Sequence, residues 1–125
     1  MKLIDTTIAV DHLRGASAAV DLLTALIDTG DDLLASELVR FELLAGIRGK
    51  ELVAFEEFCS ALLWVEVTTD VARVAGQLAR RYRKGHSGIG AIDYLIAATA
   101  IVTDADLLTT NVRHFPMFTK LKPAY

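Results

Sequence analysis

The stretch "AIDYLIAATA", residues 91–100, decides the fold. Apolar residues fill almost every position of its helical repeat. A helix across about 91–104 therefore has no broad polar face to turn to water and belongs in the interior. A glycine-rich loop, "KGHSGIG" at 84–90, leads into it, and an apolar run at 107–109 follows it. A buried helix between a glycine-rich turn and a short strand is the repeating unit of a parallel sheet. The same alternation continues outward in both directions.

Toward the N-terminus, the periodicity predicts a helix over about 70–84 that Thr69 can cap, a strand in "LWVEV" at 63–67, and helices over about 51–62 and 37–48. Ser36, at the end of the strand "DDLLAS", is placed to cap the helix that follows. Helices over about 16–29 and 6–13 are separated at Gly15 and closed at Gly30, and a short strand at 2–4 ends on Asp5. Toward the C-terminus, a last short strand is expected near 119–122. The sum is an α/β chain with a mostly parallel sheet of about five strands, helices on both faces, and one domain over 1–125. Ligands of such a fold bind at the carboxyl ends of the strands.

Composition narrows the function. Of 125 residues, 53% are hydrophobic and 23% charged, which excludes a disordered chain. The formal net charge of −3 excludes nucleic-acid binding through bulk charge, so any such role must come from a local patch. The single cysteine, Cys59, has no partner for a disulfide or a thiolate metal cluster, and its apolar helical setting points to core packing. The acid at position 5 interrupts any apolar signal segment, and no apolar run approaches the roughly 20 residues that span a bilayer. The expected location is the cytoplasm.

Three of the sixteen acids sit in apolar surroundings. Asp5 ends the first strand, where it either caps the next helix or contributes to a site. Glu42 lies in "SELVRFELLAG" with Leu38, Val39, Ala45 and Gly46 as its helical neighbours, away from Glu37, Arg40 and Arg48. There it is either one half of a buried ion pair or a ligand facing open space. Asp93 shares its side of the buried helix with Ile96, Ala97 and Ala100 and lies in the first turn, where the helix dipole favours an ionised acid. An unpaired carboxylate in such a setting costs several kcal/mol. Three gathered at one strand-end cleft would raise one another's pKa values, and a divalent cation removes that cost. Hard oxygen donors select magnesium or manganese. His12, His86 and His114 have no zinc-ligand spacing.

The segments "LIDTTIAVDHLRG", "SELVRFELLAG", "AIDYLIAATA" and "LLTTNVRHF" follow the order and spacing of PIN-domain ribonucleases. The chain most resembles the toxin half of VapBC toxin–antitoxin pairs. The resemblance runs from position 3 to 115 and implies a Rossmann-like sheet with an acidic, magnesium- or manganese-binding cluster. By matched position, Asp5, Glu42 and Asp93 are the metal ligands, and Asn111 takes the fourth catalytic place, where many relatives carry aspartate. A neutral amide there can orient water but adds no charge, which implies one firmly held metal and a second arriving with RNA. Thr7 and Thr110 match hydroxyl positions that orient water or ligands, with capping as the alternative. The implied chemistry is endonucleolytic hydrolysis of an RNA phosphodiester, with Asp5 and Asp93 holding the metal that activates water and Glu42 orienting it. The implied partners are a VapB-type antitoxin and a second copy of the toxin, together in a hetero-oligomer. The sequence itself offers only apolar helices near 16–29 and 51–62 for such interfaces.

For RNA, the basic run Arg80, Arg81, Arg83, Lys84 and His86 leads into the loop before Asp93, with Tyr82 as a stacking face; Arg113 and His114 leave the Asn111 turn. The same cations also suit a solvated helix end. Two other enzyme classes of this fold type do not fit. A two-component receiver requires paired acids after the first strand and a late lysine, and "DTT" and "LLTT" supply neither. A haloacid-dehalogenase-type phosphatase requires an aspartate where Thr7 stands. A PIN fold without catalysis, acting as a binding module, is the remaining alternative, and Asn111 is the feature that favours it.

Overall fold

The structure, a computed structural model, describes residues 1–125. Four strands form the sheet: β1 (Lys2–Ile4), β2 (Leu33–Ser36), β3 (Leu63–Val65) and β4 (Asp106–Leu108). Their order is β3-β2-β1-β4 and every pairing is parallel, with Leu3 opposite Leu34 on one side and Leu107 on the other. The expected fifth strand at 119–122 does not form. That segment makes turns, with Phe118 N–H bonded to Phe115 O and Leu121 N–H to Phe118 O. Leu121 and Ala124 pack partly buried against the core without joining a ladder.

Six helices connect the strands: α1 (Thr6–Leu13), α2 (Ser17–Asp28), α3 (Glu37–Gly46), α4 (Leu52–Ser60), α5 (Thr69–Tyr82) and α6 (Ala91–Thr103). Their bounds follow the capping chemistry. Gly15 and Gly30 adopt φ of +77° and +79°, where a side chain would be strained, and they end α1 and α2. The Ser36 hydroxyl accepts from Leu38 N–H at 3.1 Å. The cap of α5 is Thr68 rather than Thr69, its hydroxyl accepting from Val71 N–H at 3.2 Å. Either threonine satisfies the sequence signal, and the first extended one takes the role.

The chain steps from β1 to β2 to β3 in one direction, then returns past β1 to β4. Right-handed crossovers therefore put α1–α4 on one face and α5–α6 on the other. Both faces are covered: Leu3 and Ile4, adjacent in β1, are fully buried, and so is every residue of β2. As its composition demands, α6 is central, with Tyr94, Ile96, Ala97, Ala98, Thr99 and Ala100 buried. Cys59 is a buried core residue and its thiol pKa is pushed up by burial. The strand order reverses between β1 and β4, so the crevice beyond their carboxyl ends is where this topology opens a binding site.

Candidate active site

Asp5 is the first residue beyond β1, and Thr109 the first beyond β4; the Asp5 N–H bonds Leu108 O and ties the two strand ends together. At the same crevice a cleft of about 500 Å³ is lined by Asp5, Glu42, Asp93, Asn111, Thr7 and Thr110. Four segments far apart in sequence thus bring all the expected catalytic positions to one place. Thr6, Asp11, Arg14 and His114 complete its polar wall.

Asp5 is 4% exposed. Its carboxylate accepts from Thr6 N–H at 2.8 Å, from the Thr109 hydroxyl at 2.8 Å and from the Thr7 hydroxyl at 3.4 Å. The helix-capping reading of Asp5 holds, and the cap uses one oxygen only, leaving the other facing the hydroxyls at the cleft. Burial raises its pKa, the Thr109 and Thr6 hydrogen bonds work against that rise, and the nearby Asp93 adds to it. No lysine, arginine or histidine pairs with it.

Glu42 is half-buried rather than enclosed, since Ala45 and Gly46 beside it are exposed. Small neighbours open the groove to water instead of hiding the carboxylate. The Thr6 hydroxyl donates to Glu42 at 2.5 Å, so the glutamate is held by a neutral donor and no buried ion pair forms. Asp93 is also half-buried. Its carboxylate accepts from Gly90 N–H at 3.4 Å and meets the His114 Nδ1 at 2.9 Å. His114, expected at the lip, is thus joined to the acidic cluster through tertiary contact, which no local ligand spacing could reveal.

Sequence reasoning missed Thr6, Thr109, Asp11 and Arg14. Positions 7 and 11 on α1 and Arg14 at its C-cap follow the helical period, so that period after Asp5 carried a signal for the last two. Thr109 gives Asp5 its shortest side-chain hydrogen bond, ahead of the expected Thr7; the Thr110 N–H bonds Thr7 Oγ1 at 3.4 Å, and the Asn111 N–H bonds Thr109 Oγ1 at 2.9 Å. The basic run lies elsewhere. Arg80, Arg81, Arg83 and Lys84 are exposed around the end of α5, and none lines the cleft. Tyr82 stacks on His86 at 5.7 Å and carries the Arg81 guanidinium at 5.5 Å. Arg113 is exposed on a 3-10 turn at Val112–His114 and does not line the cleft either.

The donors fit a hard divalent cation. Carboxylate, hydroxyl and amide oxygens dominate the wall, and a desolvated aspartate without a cationic partner is the group such an ion would relieve. No three acid, histidine or cysteine side chains are drawn tightly enough to share an ion directly.

The chain belongs to the PIN-domain family, whose model matches residues 2–119. It is 69% identical over its 125 residues to ribonuclease VapC19 of Mycobacterium tuberculosis, with both chains covered completely. It is 42% identical to ribonuclease VapC10 of the same organism, covering 100% of this chain and 93% of that one. Among solved structures, a toxin–antitoxin complex from Klebsiella pneumoniae contains a chain of the same fold, with a TM-score of 0.84 at 21% identity over 100% of this chain and 98% of the other.

Proposed function

We propose that this protein is a metal-dependent endoribonuclease, the toxin of a toxin–antitoxin pair, and that residues 1–125 work as one PIN domain in the cytoplasm. One observation carries the reading: Asp5, Glu42 and Asp93 converge with Asn111 on a single cleft at the topological switch point. The full-length identity with a named ribonuclease supports it.

Magnesium, with manganese as a substitute, would be held by Asp5 and Asp93, directly or through water, and would supply Lewis-acid charge for phosphodiester hydrolysis. The chain's own residues do the rest. Thr109 and the Thr6 N–H fix the Asp5 carboxylate so that it stays aimed at the cleft while buried. Glu42, anchored by the Thr6 hydroxyl, orients the attacking water. His114 holds Asp93 in place. Asn111 contributes a neutral amide at the fourth position, and Thr7 and Thr110 orient water at the rim. Arg80, Arg81, Arg83, Lys84 and Arg113 are exposed and available to RNA beyond the cleft.

A VapB-type antitoxin and a second copy of the toxin are the proposed protein partners. Large apolar side chains stand exposed on α2, α3 and α4, with Ile27 at 50%, Phe41 at 60% and Val53 at 72%, which supports a covered surface there. A PIN fold that binds without cutting is the second reading, favoured by the neutral Asn111 and by the open spacing of the acids. Induced expression separates the two. The ribonuclease toxin arrests growth, the upstream antitoxin relieves the arrest, and Asp93→Ala abolishes it. Arrest that persists undiminished in Asp93→Ala contradicts catalysis.

A further inference from the structure

We propose that the RNA strand passes from the acidic cleft into the adjoining groove between α1 and α3, with Arg14 clamping a phosphate at the junction and Arg48 and Lys50 holding the next. This path rests on the ribonuclease reading of the cleft. A second pocket, of about 550 Å³, shares Val10, Arg14 and Glu42 with the acidic cleft, so the two form one continuous channel. Arg14 is the only lysine or arginine on the wall of the cleft, is exposed, and forms no ion pair within the chain.

The nearby acids are oriented by neutral donors, not by these cations. Glu42 accepts from Thr6 and Asp11 from the Tyr125 hydroxyl, while Glu51 accepts from the Arg48 N–H at 3.2 Å. Arg14, Arg48 and Lys50 line the channel together with Glu42 and Glu51, and none of the three cations is drawn into an ion pair. A polyanion drawn to a cluster of acids needs compensating positive charge beside it, and the channel supplies that on one side only. The run at Arg80–Lys84 is better placed in sequence but lines neither pocket.

The test is fluorescence anisotropy with labelled single-stranded RNA of two and of eight nucleotides, with calcium replacing magnesium to limit cleavage. Arg14→Ala is expected to weaken octanucleotide binding about fivefold and to flatten the log–log salt dependence by about 0.7. Arg14→Lys should restore most of the affinity. The double variant Arg48→Ala/Lys50→Ala should weaken the octanucleotide and leave the dinucleotide unchanged. Lys122→Ala, near the amino-terminal edge of β4, removes an equal charge and should change neither.

All these side chains are exposed, and unchanged thermal melting confirms intact folding. Equal binding by Arg14→Ala and wild type overturns the proposal. A loss that follows substitution of Arg80, Arg81, Arg83 and Lys84 instead also overturns it. So does a result in which the channel variants bind RNA normally but release the antitoxin, because the groove then belongs to the protein partner. In each of these cases wild type still binds RNA and the ribonuclease reading stands. Failure of wild type to bind or cut any RNA overturns both.

Discussion

The carboxylate of Asp5 meets no cation of its own chain, and its charge rests on two short hydrogen bonds and one longer one. Because burial raises its pKa above the ordinary 3.8, the native state binds more protons there than the unfolded chain does. Ionising it therefore costs folding free energy, a cost absent below the ordinary value, growing as pH rises through the raised native value and constant above it. Asp5→Asn should raise the melting temperature of metal-free protein at neutral pH, and the gain should shrink toward about pH 4. Calorimetry at the two pH values checks this; a variant less stable than wild type at neutral pH contradicts it. Thr109 supplies the opposing hydrogen bond. Thr109→Val keeps the shape but removes the donor, and should cost about 1–3 kcal/mol in denaturant unfolding, with Asp5 titrating higher still. His114 and Asp93 illustrate what the sequence could not reveal at this scale: they lie 21 positions apart, and only the fold brings them to 2.9 Å.

Helices and strands were legible where local chemistry decides them. Gly15, Gly30 and Ser36 marked their boundaries, and the unbroken apolar run of α6 announced its burial. Thr68 and Thr69 were not distinguishable, because both offer the same hydroxyl one residue apart. The segment at 119–122 forms turns instead of a strand, its one apolar residue, Leu121, packing partly buried on the core without pairing. Gly30 gives a direct check on the turn reading. An added Cβ would meet nothing within 4 Å, so Gly30→Ala should cost only the strain of its φ of +79°, about 1–2 kcal/mol. Phe115, fully buried behind the Asn111 turn, should cost about 3–5 kcal/mol when cut to alanine. Both figures are read from equilibrium unfolding; a neutral Phe115→Ala would mean that the turn is not anchored to the core as described.

The whole molecule owes its site to the order β3-β2-β1-β4, which opens a crevice where β1 and β4 end. The acids were legible because each stood out against an apolar background, whereas the cations beside them were not. The basic run at Arg80–Lys84 drew attention by density in sequence, yet the cation of the cleft is the isolated Arg14. If the cleft holds a divalent ion, millimolar magnesium should stabilise wild type by mass action, about 2.7 kcal/mol at a hundredfold excess over Kd, and leave Asp5→Ala and Asp93→Ala unmoved. Equal stabilisation of all three would place the ion elsewhere.

If Asp5, Glu42 and Asp93 form a metal-dependent phosphodiesterase centre, the purified protein should cleave total RNA. Wild type should cut RNA with magnesium or manganese and stop when the metal is chelated. Asp5→Ala and Asp93→Ala should each lose on the order of 10²-fold or more of the rate. Equal cutting by wild type and both variants, or no cutting by wild type with either metal, would mean that these acids are not a metal-dependent nuclease centre.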